Sequence, residues 1–197
     1  MRRWQVTGDP TEPIIADLAR ILTARGIALL PTDTIYGLHG LAGDDEIAER
    51  IAAWKGRPDD KPFVVIAADV AQLRGLGLHV PEILASLWPA PLTAILARPN
   101  RTSLAVRVPD SRWLRDLLEL TGPLVSTSAN RSGEPPIASP AELATDLRDA
   151  LDAIVDAGPR QANASALVDL TGDEPHWIRE GDPRFTQKLR KTLRKNL

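Results

Sequence analysis

The sequence predicts a single α/β domain built around one twisted, mixed sheet, and three observations predict it. A chain of 197 residues with 43% hydrophobic content suits one domain with a sizeable core. Segments with apolar residues at helical spacing are interspersed with short apolar, strand-like runs. The two kinds of segment do not follow strict strand-helix-strand alternation, which argues for strands running both ways.

In "TEPIIADLARILTAR", residues 11 to 25, the side chains of Ile14, Ile15, Leu18, Ile21 and Leu22 share a stripe, predicting an amphipathic helix that stops at Gly26. "IALL" reads as a short buried strand leading into "PTDTIYGLHGLAG", whose Pro, Thr, Asp and Gly content reads as a polar loop. "DDEIAERIAAWKG" is a helix capped by Asp44 or Asp45, with Ile47, Ile51 and Trp54 inward and Gly56 ending it. "FVVIAA" is then a strand, "PEILASLW" a short helix opened by Pro81, and "LTAILA" and "SLAVRVP" two strands spaced as a hairpin. "SRWLRDLLELTG" is a helix from Ser111 to Gly122, and "PLVSTSANRSGEPP" a strand dissolving into a polar loop. "SPAELATDLRD" is expected as one capped helix, and "AIVDAG", "SALVDLT" and "HWIREG" as three closing strands. The domain is expected over residues 1–184. From Arg179 onward seven basic residues face two acids, so 185–197 is a basic tail or helix, either a solvated end or an RNA-contacting arm.

Composition excludes several chemistries. A net charge of −2 gives no global attraction to polyanions, so any such partner needs a local basic patch. Without cysteine there is no disulfide, thiolate zinc site or Cys nucleophile, and His39, His79 and His176 have no metal-ligand spacing, so no metal site is expected. "MRRWQVTGDP" carries no apolar segment followed by a cleavage site, and no run of 18 apolar residues occurs. The expectation is a cytoplasmic protein with no membrane contact. GxxxxGK[ST], GxGxxG and a His in a GxSxG-like context are all missing, which removes the familiar nucleotide loops and weakens a Ser-His-Asp hydrolase.

Four clusters could carry chemistry. Lys55 and Arg57 sit in a Gly/Pro-broken turn at a helix end, suited to holding a polyanion. Ser126, Ser128 and Asn130 alternate at a strand end and would point to one side if extended, or else form an Asx or Ser turn. Arg107 lies opposite the face shared by Leu104, Val106 and Val108, either free to hold a carboxylate or paired at the surface with Asp110. Thr32, Asp33, Thr34 and Tyr36 form a polar loop suited to a small polar ligand. An ATP carries about four negative charges and each charge-assisted contact to it is worth roughly 1.5–3 kcal/mol, so two or three converging cations, among them Arg179 of "WIREG", would suffice.

Taken in order and spacing, "LLPTDTIYGL", "KGRPDDKP", "WPAPLT", "SLAVRVPD", "PLVSTSANRSGEPP" and "SALVDLT…WIREG" resemble the YrdC/TsaC family of threonylcarbamoyl-AMP synthases, in a short single-domain form, over residues 14 to 181. The resemblance implies a YrdC-like fold with an open, basic concave face. It implies a nucleotidyltransferase that converts L-threonine, bicarbonate and ATP into threonylcarbamoyl-AMP and pyrophosphate, for downstream tRNA threonylcarbamoyl transferases that modify the adenosine beside the anticodon. Lys55 and Arg57 would hold phosphates and drive catalysis, Ser128 and Asn130 the nucleotide, and Arg179 the phosphate side. Thr34, Arg107, Ser126 and Ser165 would surround the threonine, with Tyr36 as a wall, and Mg²⁺ would arrive on the phosphates. Two departures fall in the threonine pocket: Ile66 stands where longer members carry His, and Ala164, Ser165 and Ala166 where they carry Pro-Ser-Thr. The alternatives are a YrdC-like RNA-binding module that contacts tRNA or double-stranded RNA without catalysis, and a hydrogenase-maturation carbamoyl-transfer domain, which the missing cysteines disfavour.

Overall fold

The computed structural model describes residues 1–56, 63–100, 102–160 and 162–196, with side chains to 193. In chain order its elements are β1 (Arg2–Gln5), α1 (Glu12–Thr23), β2 (Ala28–Pro31), β3 (Tyr36–Leu41), α2 (Asp45–Lys55), β4 (Val64–Ile66), α3 (Val70–Gly75) and α4 (Glu82–Leu87). There follow β5 (Leu92–Ala97), β6 (Ser103–Arg107), α5 (Arg112–Thr121), β7 (Leu124–Ser128), α6 (Thr145–Ala150), β8 (Ala153–Asp156), β9 (Ala166–Asp169), β10 (His176–Arg179) and α7 (Pro183–Asn196). Among the described residues the strands form one ten-stranded sheet in the order β1-β8-β2-β3-β7-β4-β6-β5-β9-β10. Parallel pairs (β1 with β8, β4 with β6) sit among antiparallel ones (β2 with β3, β3 with β7), so the sheet is mixed as expected.

Local chemistry accounts for several boundaries. α1 starts with Pro13 in its first turn and buries Ile15, Leu18, Ala19 and Leu22. It ends before Gly26, because Arg25 takes the left-handed conformation, φ 65°. Gly26 is needed for another reason: a Cβ there would lie 2.6 Å from Ile21 Cγ2. The Arg25 guanidinium is held by both oxygens of Asp44, at 2.6 and 2.8 Å, and Asp44 also caps α2 by accepting from Ile47 N–H. Gly56 closes α2 with φ 58°.

Four sequence expectations are corrected. "PTDTIYGLHGLAG" is a tight β2–β3 hairpin whose loop is only residues 32–35; Gly40 sits inside β3 because a Cβ would come 2.4 Å from Ile47 Cγ2 on the helix above. "SPAELATDLRD" is a short 3-10 turn, Pro140–Glu142, followed by α6, with Leu143 extended between them. The "closing" strands separate: β8 lies between β1 and β2, whereas β9 and β10 form the far edge. The N-terminal β1 and the short α3 were not anticipated.

The basic C-terminal segment is a docked helix. Leu189 and Leu193 of α7 are 2% and 1% exposed and pack in a core with Leu84, Val106 and Val168. Each such leucine contributes about 1.5–3 kcal/mol of burial. Arg190 stacks on Trp177 at 4.5 Å and pairs with Glu180, while Arg184, Lys188 and Lys191 remain exposed along one side.

Helix placement is unequal on the two faces. α2 and α6 with Tyr36, Val125 and Ile154 form one core on the face that α3, α4 and α7 cover further along. Among the described residues, only α1 and α5 pack on the opposite face, over Ile66, Leu124 and Val155. Two helices cannot cover one face of ten strands, and a cavity lies where their cover ends.

Candidate active site

The cavity holds about 210 Å³, and its hydroxyl and guanidinium lining comes from six places in the chain. The hairpin loop after β2 brings Thr32 and Thr34, β7 brings Ser126 and Ser128, β6 ends in Arg107, β5 presents Thr93, the segment before β9 supplies Ser165, and β10 ends in Arg179. Strand alternation selects these side chains. Arg107, Ser126 and Val64 share the open face because β4 pairs with both β6 and β7, while Val106 and Val125 face the other way. A second hollow of about 470 Å³ adjoins it, sharing Thr34 and Ala164 and adding Asp33, Asn163 and Asp182.

Arg107 is 6% exposed. Its Nη2 lies 2.6 Å from Asp33 Oδ2, without the alignment of a hydrogen bond, and Nη1 donates to Thr34 Oγ1 at 3.1 Å. Nε is buried with no hydrogen-bond partner among the described residues. Thr34 in turn donates to Thr32 Oγ1 at 3.0 Å, since Thr32 gives its own proton to the Ile35 carbonyl at 2.8 Å. The partner of Arg107 is therefore Asp33, not the Asp110 side chain considered from sequence; the Asp110 N–H instead donates to Asp33 Oδ2.

Arg179 approaches from the other side. Its Nε donates to the Ser165 carbonyl at 2.8 Å and Nη2 to Ser165 Oγ at 3.2 Å, and Ser165 Oγ meets Thr93 Oγ1 at 2.8 Å. Burial pushes the Arg179 guanidinium pKa down, and the positive charge of Arg107 pushes it the same way. Burial lowers that of Arg107 too, with Asp33 opposing. A buried guanidinium, Arg107, paired with Asp33, and a more exposed one, Arg179, thus face one cavity, an arrangement suited to an incoming anion.

His39, opposite Ser126 in the β3–β7 register, is fully buried. Nδ1 lies 3.0 Å from the Gly37 carbonyl and Nε2 3.2 Å from Ser126 Oγ. Burial drives its pKa down to about 4, with the Gly37 bond opposing and Arg107 assisting, so the imidazole is neutral.

Other residues singled out from sequence stand elsewhere. Lys55, the last residue of α2, is 3% exposed, and its Nζ donates to the carbonyls of Ser128 at 2.6 Å and Asn130 at 2.5 Å. It braces the strand end whose side chains were expected to bind the nucleotide. Ser126 and Ser128 do share a side, but Asn130 lies past the end of β7 and does not line the cavity; its Nδ2 donates to the carbonyls of Arg131 and Glu134. Tyr36 is not a pocket wall. Alternation along β3 turns it away from Gly37, into the core, where its hydroxyl donates to the Gly158 carbonyl and accepts from Ala157 N–H. Arg57 lies outside the described residues. Ile66 and Ala164, two of the departures, line the cavity as apolar wall.

Sequence reasoning did not select Thr93 or His39, and it named Asp33 in the polar loop without pairing it to Arg107. Asp33 was legible as part of "PTDT". His39 was hidden because "YGLHGL" was read as loop, so no strand register linked it to Ser126. Among the described residues no group of three or more His, Asp or Glu could hold a metal ion, and no helix is long and apolar enough to cross a membrane.

Fold and cavity together define an open mixed-sheet α/β protein with a cavity lined by guanidinium and hydroxyl groups. The chain belongs to the Sua5/YciO/YrdC family, whose sequence model, described as telomere recombination, matches residues 20–181. It is 32% identical over 200 residues to a threonylcarbamoyl-AMP synthase of Bacillus subtilis, covering 91% of this chain and 58% of the relative. It is 34% identical over 167 residues to one of Pseudomonas aeruginosa, covering 77% and 90%. A crystal structure of Pyrococcus abyssi Sua5 with L-threonine superposes with a TM-score of 0.83 at 31% identity, over 92% of this chain and 58% of that one. Escherichia coli YciO gives 0.81 at 26% identity, over 92% and 97%. The chain thus spans little more than half of the Bacillus and Pyrococcus proteins.

Proposed function

We propose that this chain is an L-threonylcarbamoyladenylate synthase. The observation that carries the reading is the convergence of Arg107 and Arg179 on one hydroxyl-lined cavity, a site built for a small anion that also has polar groups to be read. The names of the relatives and the threonine bound to the Pyrococcus protein support the same substrate here.

In this reading Arg107 takes the threonine carboxylate, with Thr34, Ser126 and Ser165 around the rest of the molecule. The threonine nitrogen forms a bond to the carbon of bicarbonate with loss of water. A carbamate oxygen then attacks the α-phosphorus of ATP, the bond to the β-phosphate oxygen breaks, and pyrophosphate leaves with the electron pair. Negative charge grows on the leaving phosphates, so catalysis is positioning plus electrostatic stabilisation. Arg179, Ser128 and Arg57 serve the nucleotide side, and Lys55 supports it by holding the carbonyls of Ser128 and Asn130. Mg²⁺ arrives as part of the ATP substrate. The product is an unstable mixed anhydride, so it passes to tRNA threonylcarbamoyl transferase proteins in the cytoplasm.

The test is pyrophosphate release from ATP and bicarbonate with threonine, with serine and without amino acid. Threonine-dependent release lost in Arg107→Ala is the expected result. Threonine outranks serine by one methyl contact, about 1–3 kcal/mol. A second reading, a non-catalytic RNA-binding module, draws support from Arg184, Lys188 and Lys191, exposed at i, i+4, i+7 spacing on α7. It predicts salt-sensitive tRNA or double-stranded RNA binding by a folded protein that releases no pyrophosphate.

A further inference from the structure

The pair His39 and Ser126 fixes a direction of hydrogen bonding. The Gly37 carbonyl can only accept, so the ring proton of His39 sits on Nδ1, 3.0 Å away. A fully buried imidazole beside the field of Arg107 holds no second proton, which leaves Nε2 as a bare acceptor. The contact of 3.2 Å to Ser126 Oγ is then donated by the serine, and its hydroxyl hydrogen is committed away from the cavity. Only lone pairs of Ser126 Oγ remain for a ligand.

Gly37 makes the arrangement possible. A Cβ there would stand 2.8 Å from His39 Cε1 and 3.1 Å from the Thr127 carbonyl, so only glycine lets the ring lie against its own strand. The other side of the cavity has the opposite character, since Arg107 and Arg179 carry only donors. The cavity is therefore dipolar, with cations at the β6 and β10 ends and an enforced acceptor on β7.

We infer that His39 is a positioning residue that sets Ser126 Oγ as the acceptor for the amino N–H of an α-amino acid whose carboxylate meets Arg107. The inference rests on the threonine-binding reading and adds to it a specificity determinant for the amino group.

The test is direct binding, by calorimetry without ATP, of L-threonine and of its deamino analogue 3-hydroxybutanoate, to wild type, His39→Phe, His39→Gln, Ser126→Ala and the His39→Phe/Ser126→Ala double variant. Denaturant unfolding verifies each fold, and His39→Leu replaces His39→Phe should the larger ring not be accommodated. The preference of wild type for threonine over the analogue should fall about tenfold in His39→Phe, the worth of one hydrogen bond to a charged donor, while affinity for the analogue stays within about threefold. His39→Gln, which can donate to Gly37 and accept from Ser126 with one amide, should retain most of the preference. In the absence of the Ser126 hydroxyl, His39→Phe should change the preference no further. Equal loss for both ligands in His39→Phe, or an unchanged preference, overturns the positioning role while leaving the threonine reading intact. Failure of folded wild type to bind threonine overturns both.

Discussion

Nη2 of Arg107 lies 2.6 Å from Oδ2 of Asp33, and the two side chains are 8% and 9% exposed. In a site this dry an unpaired guanidinium is costly, so Asp33 is the counter-charge that lets Arg107 wait for a ligand. Asp33→Asn should lower unfolding free energy by about 3 kcal/mol and, with more positive charge left uncompensated beside Arg179, tighten binding of threonine several-fold. Urea denaturation and calorimetric titration read the two effects. Unchanged stability would mean that the close contact carries no net pairing energy.

Lys55 tests whether the ammonium serves phosphates or backbone. Its bonds to the Ser128 and Asn130 carbonyls predict that Lys55→Ala costs about 2–5 kcal/mol of stability through two partly buried acceptors left unmatched, together with a weakened nucleotide site. Lys55→Arg should not rescue it, because a site 3% exposed has no room for a guanidinium. Full stability with lost ATP affinity, measured by thermal unfolding and nucleotide titration, would return Lys55 to direct phosphate binding.

For Tyr36→Phe the expectation separates core from pocket. The lost hydroxyl leaves Ala157 N–H and the Gly158 carbonyl unmatched, a destabilisation of about 1–3 kcal/mol, while threonine affinity stays within about threefold. A large affinity loss at constant stability in the same pair of measurements would make Tyr36 a pocket wall after all.

The buried His39 predicts a pH dependence of stability. Its pKa is about 4 in the folded protein against an ordinary 6.5, so between those values the unfolded chain binds a proton that the folded chain does not. Stability therefore rises with pH through that window and falls on acidification, by about 3 kcal/mol in total from this group. Denaturation across the window should give a clear slope for wild type and a flatter one for His39→Gln. Equal slopes would assign the effect to other groups.

Much of the fold was legible where local rules act alone. The stripe of Ile15, Leu18 and Leu22, the Asp44 cap and the left-handed Gly56 are settled within a few neighbouring residues, so periodicity and capping found α1 and α2. Reading failed where a glycine sits in a strand for the sake of a distant contact, as Gly40 does under Ile47, or where a run splits because Leu143 must reach a core elsewhere. The site followed the same division. Arg107, Ser126, Ser128 and Arg179 could be chosen by residue type and Ser165 by the family resemblance, but their convergence depends on β7, β4, β6, β5, β9 and β10 lying side by side.

By itself, then, the order of residues determined the α/β class, most helix ends, the absence of cysteine chemistry and the polar groups available for a ligand, since each depends on composition or on contacts within about one or two helical turns. Only the tertiary structure decided that Arg107 pairs with Asp33, that Lys55 holds backbone carbonyls, that Tyr36 turns into the core and that His39 sets the proton of Ser126. Each of those depends on strand register, where a shift of one residue turns every side chain to the other face, and that register is chosen by burial across the whole sheet.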